Sequence, residues 1–300
     1  MTASGPLARR GLLKAGVALT SAAVVASAGR AAAAPDASAT GELAGLEDRY
    51  GARLGVYARN VRTGQVLAHR AGERFAMCSV FKAFAAAAVL RDGGHCVPLD
   101  KVIHYPPHDV LPNSPRTQEN QATGMTVADL CAAAIQYSDN TAGNLLLSRL
   151  DGPAGLTRFF RSLGDEVSRL DRWEPELNTA VPGDPRDTTT PEALATSIER
   201  LTLGRALAAP DRDRLVTWLK GNTTSAARFR AGLPAGWTVA DKTGTGDYAS
   251  ANDVGVAWTT RRTPVVLAVL SCRDGKEAPV DEALIAEAAR VAARTVAPGE

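Results

Sequence analysis

Ser79 and Lys82 are the first residues of the chain whose types and spacing could do chemistry. A serine and a lysine three positions apart share one face of a helix, so a hydroxyl and an amine would lie side by side. A serine hydroxyl becomes an effective nucleophile when a neighbouring base removes its proton, and burial lowers the pKa of a lysine amine. Residues 83–90 are nearly all apolar and are followed by Gly93 and Gly94, which predicts a buried helix with this pair at its start.

Three further polar clusters lie where helices, strands or loops are predicted to meet. Ser-Asp-Asn at 138–140 interrupts a helical run, and Lys-Thr-Gly-Thr-Gly at 242–246 ends an alternating strand with two glycines. Glu-Pro-Glu-Leu-Asn at 174–178 lies within the long irregular segment 169–188. Taken one at a time, these clusters also suit a helix end, a bulge and a solvated loop.

The composition is that of a globular protein with no electrostatic attraction to nucleic acid. The chain has 300 residues, of which 45% are hydrophobic and 22% charged. Residues 1–34 carry four basic and no acidic residues, so the remainder has 30 basic and 32 acidic residues. A nearly neutral protein of this kind is not expected to bind nucleic acid or an anionic membrane.

The first 34 residues are predicted to be a twin-arginine signal peptide. Arg9 and Arg10 precede an apolar region, and the alanines at 31–34 form a small-residue cleavage zone before Pro35. The alternative is a membrane anchor, but the apolar run at 15–28 is short for a bilayer and is broken by polar residues. We expect a secreted protein that has no membrane attachment after signal cleavage.

The order of predicted elements indicates a mixed α/β fold of the α+β type. Strands are predicted near both ends of the chain and helices in its centre, so the two ends should form one antiparallel, five-stranded sheet covered by the terminal helices. This gives a discontinuous α/β domain of residues 40–69 and 222–300. Residues 70–221 are predicted to form an inserted all-helical domain that includes an omega loop at 169–187. The candidate active site should lie at the junction of the two domains.

Jointly, the four clusters resemble the motif set of the class A serine β-lactamases of the secreted, actinobacterial type. That set is Ser-x-x-Lys, Ser-Asp-Asn and Lys-Thr-Gly with a glutamate on a loop, and the chain has all four in this order over residues 79–246. The resemblance extends from about residue 54 to the C-terminal helix. It includes the long runs at 170–178 and 233–237, which are far more specific than any triplet.

The resemblance implies a role for each catalytic residue. Ser79 would attack the lactam carbonyl and become acylated, and Lys82 and Glu174 would share the proton transfer of acylation. Ser138 would pass a proton to the departing lactam nitrogen, and Lys242 would hold both Ser138 and the substrate carboxylate electrostatically.

It also implies the residues that bind substrate and water. Asn140 would hydrogen-bond the side-chain amide of the substrate, and Asn178 would hold the hydrolytic water together with Glu174. Thr243 and Thr245 would line the substrate site, and the backbone N–H groups of Ser79 and Thr245 would form the oxyanion hole. Small-molecule β-lactams are the implied partners of a monomeric enzyme that needs no cofactor and no metal.

The chain departs from common family patterns at two positions. Ala251 stands where many members have an arginine that binds the substrate carboxylate, and Arg228 is expected to supply that fork instead, with Arg230 nearby. Asn113 replaces an aromatic residue at the rim of the site. The resemblance further implies that the ion pair of Arg172 and Asp187 closes the neck of the omega loop.

Neither the cysteines nor the histidines indicate a metal or redox centre. Cys78, Cys96, Cys131 and Cys272 match no zinc or redox spacing, and their pairing does not follow from sequence. We predict buried free thiols, because Gly246 and Ala86 occupy the positions where relatives place the partners of Cys78 and Cys131. Prolines between His104 and His108 prevent a regular helix that would present both imidazoles to a metal.

Two other functions share part of this motif set. A low-molecular-weight D-Ala-D-Ala carboxypeptidase or transpeptidase generally lacks the loop glutamate, and a non-catalytic β-lactam sensor needs a membrane-spanning segment to report through. Glu174 and Asn178 favour hydrolysis of penicillins and cephalosporins over both alternatives. The relative rates on penicillins, cephalosporins and carbapenems, the inhibitor sensitivity and the cleavage site do not follow from the motifs.

Overall fold

The computed structural model describes residue 1, residues 37–93 and residues 98–300. From residue 37 onward the described residues pack as one compact unit. Apart from residue 1, the predicted signal peptide lies outside the described residues, as does Cys96. Of the helices in the described part of the chain, none has the length and apolar content needed to cross a bilayer.

A five-stranded antiparallel sheet is built from both ends of the chain, as the sequence predicts. Its strand order is β2-β1-β9-β8-β7, so the first strand pairs directly with the last, with Leu54 opposite Ser271. Two small two-stranded sheets, β3-β6 and β4-β5, complete the strands of the described residues. The bounds are β1 Arg53–Asn60, β2 Val66–His69, β3 Phe75–Ala76, β4 Val102–Ile103, β5 Met125–Thr126, β6 Thr188–Thr189, β7 Thr238–Gly246, β8 Ser250–Trp258 and β9 Pro264–Cys272.

The two terminal helices cover one face of this sheet. Helix α1 is Ala37–Tyr50 and helix α10 is Glu282–Val296, and both contact β1. Their apolar side chains form one core with alternate residues of the strands, including Leu43, Val269 and Ile285, all of which are fully buried. Removal of this apolar surface from water is the main stabilising contribution of the terminal helices.

The central helices cover the other face and surround the start of the buried helix. Thr126 caps α4 by accepting a hydrogen bond from the N–H of Asp129, and Thr190 caps α7 through Ala193. The bounds are α2 Phe81–Gly93, α3 Pro115–Glu119, α4 Val127–Gln136, α5 Asn140–Ser148, α6 Gly152–Ser162, α7 Pro191–Thr202, α8 Ala209–Lys220 and α9 Phe229–Gly232. The division into an inserted helical domain and a discontinuous α/β domain stays a prediction.

The predicted irregular segment runs between α6 and β6. Within it, Glu176–Thr179 is a single 3₁₀ turn and Leu177 is fully buried, as expected for a packed loop. Trp173 differs from that expectation because it remains 40% exposed, with its ring lying against Gly152. The peptide bond between Glu174 and Pro175 is cis.

Candidate active site

Ser79 and Lys82 lie side by side at the start of the buried helix, as their spacing predicts. Ser79 belongs to the 3₁₀ turn Cys78–Val80 that leads directly into α2, and Lys82 is in the first turn of α2. Lys82 is fully buried and Ser79 is 6% exposed. The Nζ atom of Lys82 lies 2.9 Å from Ser79 Oγ. Ser79 is therefore largely shielded from water, and its amine partner is removed from water altogether.

Lys82 is held by acceptors from three different elements. Its Nζ donates to the backbone oxygen of Ser138 at 2.7 Å and to Asn140 Oδ1 at 2.6 Å, and it lies 2.9 Å from Glu174 Oε1. Gly143 makes room for the lysine stem, since a Cβ there would lie 2.9 Å from Lys82 Cε. Burial lowers the pKa of Lys82, and the charge and hydrogen bond of Glu174 oppose that effect.

Ser138 contacts both buried lysines, Lys82 through its backbone oxygen and Lys242 through its hydroxyl. Ser138 is in the short link between α4 and α5, and Asp139 caps α5 by accepting from the N–H of Ala142. Lys242 Nζ donates to Ser138 Oγ at 3.1 Å and to the backbone oxygen of Thr243 at 2.8 Å. Burial lowers the pKa of Lys242 to well below the usual lysine value, and the positive charge of Lys82 lowers it further.

Glu174 completes the cluster from the irregular loop. Ser79 Oγ donates to Glu174 Oε1 at 3.1 Å, and Asn178 Nδ2 donates to Glu174 Oε2. Glu174 is 2% exposed. Lys82, Ser79 and Glu174 thus form one hydrogen-bond chain, which offers the serine proton two acceptors of different chemistry.

Asn144 is a residue of the site that the sequence analysis missed. Its Oδ1 accepts from the N–H of Glu174 at 3.0 Å, and its Nδ2 donates to the carbonyl of Glu174 at 3.0 Å. Asn144 follows Asn140 by four positions on α5, so helical periodicity places both amides on one face. The four-residue spacing of the two asparagines is the sequence feature from which Asn144 could have been predicted as a site residue. The side chain fixes the loop backbone at the residue that contacts Ser79.

Glycines of the Lys-Thr-Gly segment let β7 approach the nucleophile closely. A Cβ on Gly244 would lie 3.0 Å from the Met77 carbonyl oxygen, and one on Gly246 would lie 2.6 Å from the Asn178 carbonyl oxygen. Thr243 lies behind this edge, with its hydroxyl 2.5 Å from that of Thr224. The close approach brings β7 against the 3₁₀ turn that carries Ser79.

Arg228, the predicted fork for the substrate carboxylate, lies buried behind the strand edge. It is 2% exposed, and its Nη1 donates to the carbonyls of Gly244 and Asn252 at 2.8 and 2.7 Å. Its Nη2 donates to Thr245 Oγ1 at 2.7 Å. The guanidinium therefore contacts the site through the Thr245 hydroxyl. The position of Arg228 in the sequence does not reveal how deeply its side chain is buried.

The neck of the loop is closed by the ion pair that the resemblance implies. Arg172 Nε lies 2.5 Å from Asp187 Oδ2, and the other oxygen of Asp187 accepts from the N–H groups of Asp171 and Arg172. Asp187 is 1% exposed, so the pair is shielded from water on its acidic side. The contact joins both ends of the segment that carries Glu174.

The remaining sequence predictions concern the rim and the thiols. Asn113 is exposed at the rim, with its Nδ2 at 3.4 Å from the Ser138 carbonyl. Cys78 and Cys131 are buried free thiols as predicted, whereas the free thiol of Cys272 is only partly buried. Within the described ranges no group of histidine, cysteine and acidic side chains could hold a metal ion.

Comparisons with known proteins place this arrangement in one family. The model of the β-lactamase enzyme family matches residues 38–296. The FAR-1 β-lactamase of Nocardia farcinica is 55% identical over 256 residues, which cover 84% of this chain and 81% of that protein. The carbapenem-hydrolyzing β-lactamase KPC of Klebsiella oxytoca is 54% identical, covering 82% of this chain and 85% of that one.

Solved structures agree with the sequence relatives. The β-lactamase of Streptomyces albus G superimposes with a TM-score of 0.84 at 52% identity, covering 86% of this chain and 99% of that one. The β-lactamase of Desulfarculus baarsii gives a TM-score of 0.85, also at 52% identity, and covers 89% of this chain and 100% of its own. On this evidence the chain belongs to the β-lactamase enzyme family as a class A β-lactamase, a hydrolase that acts on β-lactams.

Proposed function

We propose that the enzyme hydrolyses the β-lactam amide bond of penicillins and cephalosporins through an acyl-enzyme on Ser79, and so confers resistance to these antibiotics. The observation that carries the proposal is the hydrogen-bond chain from Lys82 through Ser79 to Glu174, with Oγ 2.9 Å from the amine and 3.1 Å from the carboxylate. Both groups are within reach of the proton that must leave the nucleophile.

In acylation, Ser79 Oγ bonds to the lactam carbonyl carbon and the carbon–nitrogen bond of the ring breaks. The serine proton passes to Lys82 or Glu174. Ser138 delivers its hydroxyl proton to the ring nitrogen as the nitrogen leaves, and the proton taken from Ser79 replaces it, so that no net proton is gained or lost. The contact of the Ser138 hydroxyl with Lys242 supports its position in this step. The N–H groups of Ser79 and Thr245 would bind the oxyanion. Gly244 supports this arrangement, because the absence of a Cβ there lets β7 approach the turn that carries Ser79.

In deacylation, a water molecule attacks the ester carbon, Glu174 accepts its proton, and Ser79 Oγ leaves as the restored hydroxyl. Two features support this role. Glu174 is fixed by Asn144 and Asn178, and Asn178 Oδ1 is buried without a donor among the described residues. An acceptor of this kind suits a water molecule held beside the carboxylate.

We further propose that the substrate carboxylate is bound by Lys242, Thr243 and Thr245, with Arg228 acting on it through the Thr245 hydroxyl. Asn140 would hydrogen-bond the substrate side chain, although its amide is also engaged by Lys82 and by the Pro112 carbonyl. A substrate panel should include a carbapenem, because KPC, which is 54% identical, is described as carbapenem-hydrolyzing. Secretion as a monomer without membrane attachment is part of the same proposal.

The experiment that tests the mechanism is the Glu174→Ala variant mixed with benzylpenicillin. Acylation retains Lys82 as a proton acceptor, while deacylation loses its base, so we expect one stoichiometric adduct on the Ser79 peptide that persists for minutes. Glu176→Ala is the matched control, because Glu176 is exposed on the same loop and should turn over normally. Mass spectrometry distinguishes the two variants. Full turnover by Glu174→Ala would refute the assigned role, and absence of any adduct would make Glu174 indispensable for acylation.

Nitrocefin hydrolysis by the purified chain separates this function from the alternatives. A carboxypeptidase or a sensor should release product once and then stop, since the acyl-enzyme persists. A hydrolase with a working Glu174 should show many turnovers for each Ser79.

A further inference from the structure

Lys242 is a buried cation that lacks a carboxylate partner of its own. Lys82 has Glu174 Oε1 at 2.9 Å, whereas the donor contacts of Lys242 are the hydroxyl of Ser138 and the carbonyl of Thr243. Throughout the described segments no acidic side chain forms an ion pair with Lys242. A fully buried ammonium without a nearby negative charge is costly. A negative charge in the next layer, beyond the direct contacts of Lys242, is therefore needed to offset this cost.

Two aspartates lie in that layer, on the strands that carry the Lys-Thr-Gly segment. Asp241 directly precedes Lys242 on β7 and is opposite Gly255, while Asp253 on β8 is opposite Thr243. Strand alternation puts Asp241, Thr243 and Asp253 on one face of the sheet, with the aspartates as diagonal neighbours. Gly255 leaves this space open, because a Cβ there would lie 2.9 Å from Asp241 Cβ.

The two carboxyl groups are fully buried, and each is close enough to the other to shift its pKa. Asp241 Oδ1 accepts from Arg230 Nη2 at 3.2 Å, and Asp253 Oδ2 accepts from the N–H of Phe229 at 3.2 Å. The remaining oxygens, Oδ2 of Asp241 and Oδ1 of Asp253, are buried and receive no hydrogen bond from any described residue. Two ionised carboxylates in contact would repel, but one proton between them makes each unpaired oxygen a partner of the other.

The surroundings decide which aspartate is the acid. Asp241 accepts a hydrogen bond from the guanidinium of Arg230, whose positive charge stabilises the ionised carboxylate. Burial raises the pKa of both groups, and the negative charge of Asp241 helps to raise the pKa of Asp253 well above the usual range. The charged groups that face the pair are Arg228 and Arg230 from the segment around α9, Lys242 from β7 and, beyond Lys242, Lys82 from α2.

We propose that Asp241 and Asp253 hold one proton between them at neutral pH, on Asp253, and that their single negative charge is the counter-charge that keeps Lys242 protonated and in position. The pair does not touch substrate, so both aspartates are positioning residues. The consequence for catalysis rests on the proposed function, in which Lys242 binds the substrate carboxylate. The proton count does not rest on it.

The first test counts the protons in the wild-type enzyme without any substrate. Carbon-13 NMR of labelled aspartate side chains at pH 7 should show Asp253 protonated and Asp241 ionised. Two ionised groups, two protonated groups, or a proton on Asp241 in place of Asp253 would each overturn the proposal. This measurement needs no variant and is independent of β-lactam hydrolysis.

The second test uses proton linkage in unfolding. A folded protein that retains a proton on Asp253 releases it on unfolding, so its unfolding constant rises with pH. Asp253→Asn preserves an N–H donor toward Asp241 but has no proton to release. Between about pH 6 and pH 8, above the ordinary aspartate pKa, the ratio of wild-type to variant unfolding constants should rise about tenfold per pH unit. A ratio independent of pH would contradict the shared proton.

The third test concerns Lys242 and uses the pH profile of kcat/KM for a penicillin. Either carboxyl can ionise once its partner is neutral, so the negative charge is removed only in the double variant Asp241→Asn with Asp253→Asn. In that variant Lys242 should lose its proton more easily and the alkaline limb should move to lower pH. Asp253→Asn alone, which keeps the charge on Asp241, and Asp100→Asn, at an exposed aspartate, should leave the limb unmoved. An unmoved limb in the folded double variant would refute the counter-charge. If the wild type failed to hydrolyse nitrocefin, the proposed function would fall while the NMR and linkage results stood.

Discussion

Each reactive hydroxyl of the site lies beside a buried lysine, but the two lysines have different surroundings. Lys82 contacts a carboxylate directly, whereas among the described residues Lys242 contacts a hydroxyl and a carbonyl. Burial lowers the pKa of both amines, and the carboxylate beside Lys82 counteracts this. Position distinguishes their roles, because Lys82 Nζ lies 2.9 Å from Ser79 Oγ and can exchange a proton with it, whereas Lys242 lies beside Ser138 and Thr243 on the strand proposed to bind the substrate carboxylate.

Replacing Lys82 by alanine should slow acylation without unfolding the protein. The variant loses one of the two proton acceptors of Ser79 but keeps Glu174 at 3.1 Å, so acylation should fall about 10²- to 10⁴-fold and not vanish. Burst kinetics with nitrocefin measure the acylation step, and Lys101→Ala, an exposed lysine, is the control. A burst of wild-type rate in Lys82→Ala would exclude the lysine from the proton transfer.

Replacing Arg228 by alanine should weaken penicillin hydrolysis by about 1.5–3 kcal/mol in kcat/KM, the usual contribution of a charged hydrogen bond. The physical reason is loss of the donor that orients the Thr245 hydroxyl. Thr245→Val should reproduce most of the loss, and the double variant should add little if both act along one route. An unchanged kcat/KM in Arg228→Ala would mean that Arg228 does not help to bind the substrate carboxylate, and that either Arg230 or no arginine does so. Thermal unfolding of each variant controls for loss of fold.

At the scale of elements, α5 joins the Ser-Asp-Asn link to the omega loop. Asn140 and Asn144 lie on one face of the helix, the first contacting Lys82 and the second holding the backbone of Glu174. A single helix thus sets the distance between the amine and the carboxylate that flank Ser79.

Asn144→Ala should impair deacylation more than acylation. The change removes two hydrogen bonds to the Glu174 backbone, which together contribute about 1–3 kcal/mol to holding the loop. We expect acyl-enzyme to accumulate with benzylpenicillin, as detected by mass spectrometry under steady-state conditions. Ser148→Ala at the exposed end of α5 is the control. Equal losses in both steps would mean that Asn144 supports the fold and not the loop in particular.

The sequence predicted the elements and the short motifs well, because both depend on local spacing. Ser79 and Lys82 share a helix face by periodicity, and the sheet from both chain ends follows from where the strands occur. Asn144 and the depth of Arg228 depend on how distant elements pack, which no local pattern encodes. The packing of an individual loop side chain is equally hard to predict, because Trp173 is covered on one side by Gly152 and remains 40% exposed.

For the whole molecule, we propose that export depends on the predicted twin-arginine signal in residues 1–34, which lies outside the described part apart from residue 1. The twin-arginine prediction implies that replacing Arg9 and Arg10 by lysine should keep active enzyme inside the producing cell. Cell fractionation followed by a nitrocefin assay measures this, and Lys14→Arg, which preserves the charge outside the arginine pair, is the control. Undiminished secretion of the double variant would contradict twin-arginine export.

The pairing of the first strand with the last has a consequence for the order of events during synthesis. Strand β1 leaves the ribosome with the short β2 as its only partner, while β9, its main partner, is among the last segments made. The intervening helices can form from local contacts as they emerge, whereas closure of the sheet has to wait for nearly the whole chain. A nascent chain stopped before β9 would present the apolar face and the free edge of β1 together. Completion of the C-terminal segment is therefore the step that removes this aggregation-prone surface.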